Sequence, residues 1–494
     1  MESIKVTGSD LTPLKLYRCI KNNLKIEIAE EALRKIKHSR EIVEEKLNKG
    51  ELIYGVNTKV GALLHEKREE NELELIKDHA VSKGEVEEKE IARATLLILI
   101  NQLATGRSTI SLETFNFLVN FFNTGAYPIF HYEGSLGASG DLIPLANLVL
   151  SLIEGKVELK DKVVSSKEVF KIIGEPELKV GDAIALINST AYTCAALAYC
   201  NVELMKLFDL SCAIAAIATE VLRSNTVHLE TNALNVKKHH DQIIVGEYIS
   251  NLLKESKLIN TSKNLQEAYS IRCIPQVYGA IRHVIDIVDY CLIREMNSFS
   301  GNPVVDLENK RILYAGNFHA ELLAFCADML RIAIASWASM IERRINRLLN
   351  PNLNRGLPAF LSNNRTTGLM LCQYLAAYYV NELRMLATPS CVMSIPVSAD
   401  QEDFVSMSGN AVSLLKRSIK SLRKIISIEL FCCIEAGKFL DYEHNGGNLR
   451  WIYEKIKRKI DEVKEIKEKI DIIEQSLDEI CLELRERFGS CFFE

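Results

Sequence analysis

The sequence predicts a mainly α-helical protein, an elongated bundle of long helices with a loop-rich N-terminal region and one short β-hairpin. Three observations carry that prediction. Only ten prolines punctuate 494 residues, and none falls between Pro176 and Pro275 or after Pro396. A proline inside a helix removes a hydrogen bond and clashes with the preceding turn, so such spans leave room for long helices. Within them, apolar residues recur at helical spacing. Only Gly155–Ser165 (GKVELKDKVVS) alternates as a hairpin does.

The elements follow in order. From Ile28 to Lys49 apolar stripes alternate with charges, and Gly50 stands where a helix C-terminus favours glycine. Next comes a loop, Glu51 to Gly61 (ELIYGVNTKVG), and then helices over about Asn71–Val81, Lys89–Ala104 and Ser111–Asn123. After the hairpin, Gly181 to Leu222 reads as two long apolar helices. Polar loops are expected around Lys237–Gln242 and Ser262–Ala268, with helices over Ile281–Met296 and His319–Leu349. A loop from Pro351 to Arg365 precedes a helix to about Ala387, and PSCVMSIPVSADQED then interrupts the pattern. The last third is helical over Asn410–Ile434 and Ile452–Leu484, the latter with a solvated Lys/Glu face. With no repeat and no low-complexity linker, the chain reads as one continuous assembly. Residues 1–180 form its loop-rich helical part and residues 181–494 its central and C-terminal bundle.

Composition excludes several function classes. Lys and Arg together number 60 against 65 Asp and Glu, and there is no basic tail, so nucleic acid is not an expected partner. The most apolar stretches, such as Ser211–Leu222, meet polar residues before bilayer length, and Met1 leads to Glu2 and Lys5 with no apolar signal core. The expectation is a cytoplasmic protein without membrane contact. Thirteen cysteines are scattered with no CxxC pair, which suits reduced buried thiols. Histidines show no HExxH spacing, and His239 and His240 would point to different helix faces, so no metal is expected.

The stretch with distinctive chemistry is Gly134 to Asn147, GSLGASGDLIPLAN. In Ala138-Ser139-Gly140 a sharp backbone bend lets the Gly140 nitrogen attack the Ala138 carbonyl carbon, closing a five-membered ring. Loss of water from the adduct and then from Ser139 leaves a methylidene-imidazolone electrophile. Glycine permits the strained backbone and alanine adds little bulk. Taken alone, the tripeptide reads first as a glycine-rich helix start capped by Asp141, with an anion site as its plainest use.

The longer string resembles the signature of the aromatic amino acid lyase family, and further matches follow in order from about residue 51 to 410. The resemblance is nearest to the histidine ammonia-lyases. It implies that Tyr54 of YGVNT removes the β-proton, a role that must contend with a free phenol pKa of about 10. Asn188 of ALINST would hydrogen-bond near the imidazolone, and Phe318 of GNFHAE would pack against it. In QEAYSIRCIPQ, Gln266, Tyr269 and Arg272 would face substrate, with Arg272 clamping its carboxylate. His79 of KDHAVSKG and Glu402 of SADQEDFVSM occupy positions where histidine lyases carry imidazole-binding residues, with Gln401 in support. An apolar substrate ring would leave that pair unsatisfied.

The implied activity is elimination of ammonia from L-histidine to give urocanate. The implied cofactor is the 4-methylidene-imidazol-5-one from Ala138-Ser139-Gly140, with no metal, and the implied assembly is a homotetramer. Tyrosine or phenylalanine lyases, aminomutases with the same electrophile, and an inactive scaffold are the alternatives. The chain departs from the family pattern at Lys59, Val60, Asn147, Ser189, Gly301, Asp400 and Phe404. Lys59 brings a cation to the Tyr54 loop, where it is expected to alter substrate choice or lower the tyrosine pKa.

Overall fold

Helices carry most of the chain, and among the described residues strands are confined to three small sheets. The computed structural model describes residues 3–362 and 367–492. Two compact units interleave along the chain. The first comprises Met1–Val202, Val288–Asp328 and Pro389–Ser413, and the second Glu203–Ile287, Met329–Thr388 and Leu414–Glu494.

In the first unit, helix Glu30–Asn48 ends as its sequence predicts. Gly50 adopts φ +73°, its N–H reaches Leu47 O at 2.9 Å, and the Glu51 N–H reaches Lys46 O at 3.1 Å. This pair of bonds is the Schellman closure, which satisfies two otherwise orphaned carbonyls. Helix Glu72–His79 starts with a reciprocal capping box between Asn71 and Glu74, and Leu112–Asn123 starts from the Ser111 hydroxyl. Helix Lys89–Leu103 is buried from Ile91 to Leu103. The predicted hairpin pairs Lys156–Leu159 with Lys162–Ser165, turning at Lys160 and Asp161, both at positive φ as a two-residue turn requires. A third strand, Tyr127–Pro128, joins it; two residues leave no sequence signal. A parallel pair, Ser3–Val6 with Lys25–Ile28, is equally short.

The stretch from Gly181 to Leu222 departs from two long helices. Asp182–Ile187 is one short helix and Ala191–Val221 one of 31 residues. The break at Asn188–Thr190 lies in an apolar run with no proline or glycine, and tertiary hydrogen bonds described below hold it open. Helix His240–Leu252 begins inside the expected Lys237–Gln242 loop, and Ile274–Met296 begins seven residues early because Pro275 is tolerated in a first turn. Helix Glu321–Leu349 is long and apolar enough, by length and composition, for a membrane span, and 61% of that window is buried in the fold. In the loop from Pro351, Arg365 lies outside the described residues.

In the second unit, Ile452–Leu484 is two helices, Arg450–Ile460 and Ile466–Phe488. Ion pairs Lys455–Glu483 at 2.7 Å and Lys459–Glu479 at 2.6 Å fix an antiparallel register between them. Lys and Glu are good helix formers, so the sequence carries no stop signal there; buried Ile456, Ile460, Ile473 and Ile480 supply the reason to fold back. The unit's core stacks Trp337 on Phe208 at 5.6 Å and on Tyr278 at 6.0 Å, with the indole N–H on Ser211 Oγ at 3.0 Å. Beside it lies a fully buried ion pair, Arg344 Nε to Glu429 Oε1 at 2.5 Å, with Tyr278 Oη 2.7 Å from Arg344. Burial opposes the Arg344 charge, but Glu429 holds the guanidinium protonated, above its ordinary range. Arg344→Met is expected to cost about 3–5 kcal/mol, because it strands a buried carboxylate. The double variant Arg344→Met/Glu429→Leu should recover most of that loss. Urea unfolding of both variants checks this; equal losses would show that the charges are not coupled.

Candidate active site

The Ala138-Ser139-Gly140 loop is held from below by Asp141, whose carboxylate is fully buried. Asp141 accepts from Ser135 Oγ at 2.7 Å, Thr193 Oγ1 at 2.6 Å and the Thr193 N–H at 2.7 Å, while its own N–H donates to Ser189 O at 2.8 Å. Burial raises the Asp141 pKa and these donors pull it back. The residue caps the fold at this point rather than its own helix, since it makes no side-chain cap bond to Leu142–Ile153.

Two glycines are obligatory here. Gly140 has φ +70°, and a Cβ there would lie 2.4 Å from Ser189 O. Gly137 has φ +62°, with Ser406 Oγ and Ser408 Oγ each 2.2 Å from its would-be Cβ. Gly140→Ala is therefore expected to lower the melting temperature and to block ring closure, with intact mass reading the second effect. A stable variant that still loses two waters would refute this role for the loop geometry.

Asn188 explains the broken helix. Its Nδ2 donates to Ser139 O at 2.9 Å and its Oδ1 accepts the Asn302 N–H at 2.8 Å. Its φ/ψ of −93°/77° leaves the helical region to make that reach. Gly301, one of the departures from the family pattern, sits against the same asparagine. A side chain there would meet Asn188 O at 2.9 Å and Phe299 Cζ at 2.7 Å, so aspartate has no room in this backbone. Ser189, another departure, donates to Gln102 Oε1 at 3.1 Å and accepts from the Ala191 N–H at 3.0 Å, starting the next helix.

The Tyr54 loop folds on its own polar side chains. Asn57 Oδ1 accepts the Ile53 N–H at 2.7 Å, and its Nδ2 donates to Glu51 O at 2.9 Å. Tyr54 packs on the cluster of Ile42, Val43, Ile53, Val56, Ile184 and Val305. Its Oη accepts the Gly61 N–H at 2.9 Å. Burial raises the phenol pKa, the Gly61 donor opposes that rise, and nearby Glu402 adds to it. Lys59 does not lower the tyrosine pKa as expected, because its ammonium is engaged by Glu66 at 2.7 Å.

The Glu402 turn is also locally specified. Val397 and Glu402 exchange backbone bonds at 3.0 and 3.3 Å around Ser398, Ala399 and Asp400, all three at positive φ. Ser398 Oγ then accepts the Ala62 N–H at 3.2 Å, tying this turn to the Tyr54 loop. The decisive contact is Ser139 Oγ donating to Glu402 Oε1 at 2.6 Å, across 263 residues of sequence. A carboxylate acceptor makes such a bond short and strong.

These groups open onto a cavity of about 580 Å³ lined by Tyr54, Ala138, Ser139, Phe318, Gln401 and Glu402, among others. Asn188 stands behind Ser139. The sequence reading missed further lining residues, Leu52, His65, Asn302, Tyr314 and His319. His319 follows Phe318 directly and stacks on Phe404 at 5.9 Å and 11°; adjacency to GNF was the signal for it.

Besides Gly140 and Asn188, which adjoin Ser139, four predicted residues lie outside this lining. His79 ends its helix with Nδ1 2.7 Å from Leu75 O. A carbonyl can only accept, so Nδ1 carries the proton and a neutral ring leaves Nε2 free to accept. Gln266, Tyr269 and Arg272 belong to the second unit. Gln266 is exposed, Tyr269 is 70% exposed, and Arg272 donates Nε to Glu267 O at 3.1 Å with its guanidinium 4.9 Å from the Tyr269 ring.

The donor set fits a methylidene-imidazolone. Gly140 supplies an unhindered nitrogen where no Cβ fits, Ser139 presents its hydroxyl to a carboxylate in the cavity, and Asn188 donates to the oxygen that would be the ring carbonyl. No group of three or more His, Cys, Asp or Glu able to hold a metal occurs among the described residues.

Residues 11–458 match the model of the aromatic amino acid lyase family. The chain is 36% identical over 471 residues to histidine ammonia-lyase 2 of Fusobacterium nucleatum subsp. nucleatum, covering 93% of this chain and 92% of that one. Among solved structures, histidine ammonia-lyase from Trypanosoma cruzi superposes with a TM-score of 0.89 at 31% identity, covering 99% of this chain and 95% of that one. Tyrosine aminomutase from Streptomyces globisporus superposes at 0.91 and 26% identity, with 99% of each chain covered.

Proposed function

The chain belongs to the aromatic amino acid lyase family, and from that premise we propose that it eliminates ammonia from L-histidine to give urocanate. It is an ammonia-lyase, a carbon–nitrogen lyase. The observation that carries the substrate reading is the Glu402 carboxylate beside Ser139 in the cavity. A ring with an N–H donor satisfies a carboxylate there, whereas a phenyl ring leaves it unpaired at a cost of about 1–3 kcal/mol or more.

The methylidene-imidazolone formed from Ala138-Ser139-Gly140 supplies an electrophile that turns the substrate amine into a better leaving group. The rest is done by side chains. Tyr54 takes the β-proton as its phenolate, and the Gly61 N–H on its oxygen favours that deprotonated form before the transfer. Glu402 accepts from the imidazole, with Gln401 supporting the turn, and His79 offers Nε2 to the same ring. Arg272, with Nε already held by Glu267 O, keeps its terminal nitrogens for the substrate carboxylate, and Gln266 and Tyr269 line that approach. Phe318 packs against the reacting centre and Asn188 fixes the loop carbonyl. Urocanate formation by purified protein offered histidine, tyrosine or phenylalanine tests the assignment. Preferred turnover of tyrosine or phenylalanine would overturn it.

The assembly in this reading is a homotetramer whose sites combine loops from different copies. It is supported by Leu265 at 94% exposure beside Gln266 and Tyr269, and by the apolar residues Leu371, Tyr374, Tyr378 and Met385 exposed along Met370–Leu386. Two separately inactive variants, Ser139→Ala and Arg272→Met, should regain part of the activity when co-expressed, because mixed assemblies contain some intact sites. No recovery would argue that each site is built from one copy. A cytoplasmic location suits thirteen cysteines that form no disulfide and are mostly buried.

A further inference from the structure

A second cavity, of about 700 Å³, lies within the second unit and is walled by Arg223, Lys257, Lys263, Arg347 and Arg355. No aspartate or glutamate lines it. Among the described residues only Arg355 of these five has a carboxylate partner, Glu267, which itself is buried. Arg223 instead donates to Arg355 O, and Arg355 donates a second nitrogen to Leu222 O at 2.6 Å. Burial and the neighbouring Arg355 push the Arg347 pKa down, and the Glu267 charge opposes them only in part. Five cations therefore wall the cavity, and Glu267, outside the lining, pairs with one of them.

Like charges gathered around a concave, partly desolvated wall create a positive potential that concentrates anions. Ammonium and guanidinium groups at several angles suit the oxygens of a phosphoryl group. Thr261, Ser262, Asn264 and Asn352 add neutral polar groups between the cations. The volume is that of a small-molecule site rather than of a single ion. We propose that this cavity binds a small phosphate-bearing anion of at least two negative charges.

Its position gives the binding a consequence. Lys263 and Asn264 line the cavity immediately before Gln266, Tyr269 and Arg272, and Asn225 Nδ2 clips this stretch through Asn264 O at 2.9 Å. An anion held by Lys263 and Arg347 would brace the same segment. Only this consequence for substrate binding rests on the function proposed above; the binding itself does not.

Pyrophosphate is the probe, titrated calorimetrically into the full-length protein at constant ionic strength set with chloride. Saturable binding is expected, weakened about tenfold by Arg347→Gln and similarly by Lys257→Gln/Lys263→Gln. The lysines are exposed, so the double variant tests the site without disturbing the fold. Hydrogen exchange over residues 262–272 should slow on binding to the wild type. The proposal fails if pyrophosphate does not bind saturably, or if both variants bind as tightly as the wild type. It also fails if pyrophosphate does not bind and the variants change the assembly state, because an acidic segment of a second copy would then fill the cavity. None of these readings uses histidine turnover, so a failed substrate assignment would leave them unchanged.

Discussion

Ser139→Ala should leave a folded protein with no measurable ammonia elimination. The hydroxyl is the only source of the exocyclic alkene, so its loss removes the electrophile rather than weakening it. A drop of at least about 10³-fold is expected, equivalent to about 4 kcal/mol of barrier. The structural loss is small by comparison. It amounts to one hydrogen bond to Glu402, worth about 1.5–3 kcal/mol, while Asp141 and its three donors still hold the loop. Intact mass separates the two effects: the wild type should be two waters lighter than its sequence, and the variant, without the hydroxyl, cannot lose the second. Turnover retained in the variant, or an unmodified wild type, would defeat the mechanism.

Tyr54→Phe should be the next most damaging change, with turnover falling about 10²–10⁴-fold while the fold persists. The ring still packs on the Ile53 and Val56 cluster, and the variant loses only the bond from the Gly61 N–H. The pH dependence follows from the raised phenol pKa. A base that must be deprotonated to act is mostly protonated below its pKa, so wild-type turnover should climb as pH rises toward the tyrosine range. Neighbouring Glu402 steepens the demand by opposing a second negative charge. The variant should lose that rising limb. An identical pH profile in the variant would assign the proton to another group, with His65 and His319 in the cavity lining as the first to test.

Much of this architecture is legible in the sequence because its signals are local. The capped ends at Asn71, Ser111 and Gly50 are single-residue devices that act within one helical turn. The hairpin over Gly155–Ser165 alternates on its own. Errors fall where no local signal exists. The apolar run through Asn188 carries no residue that marks where its two helices part, and partners 49 and 114 residues away, Ser139 and Asn302, set the break there. The Lys/Glu-rich stretch after Ile452 looks continuous, and only burial of facing isoleucines folds it back.

The site divides in the same way. Sequence by itself singled out the tripeptide proposed to form the ring, because ring closure depends on the bonding of three consecutive residues and on the freedom of Gly140. It also determined the family, through motifs in fixed order. Tertiary structure decided the environment: that Glu402 meets Ser139 at 2.6 Å, that Lys59 is engaged by Glu66, and that burial raises the Tyr54 pKa. Hydrogen bonding, charge pairing and desolvation act through space over a few ångströms, and chain separation does not encode that distance until the backbone has folded.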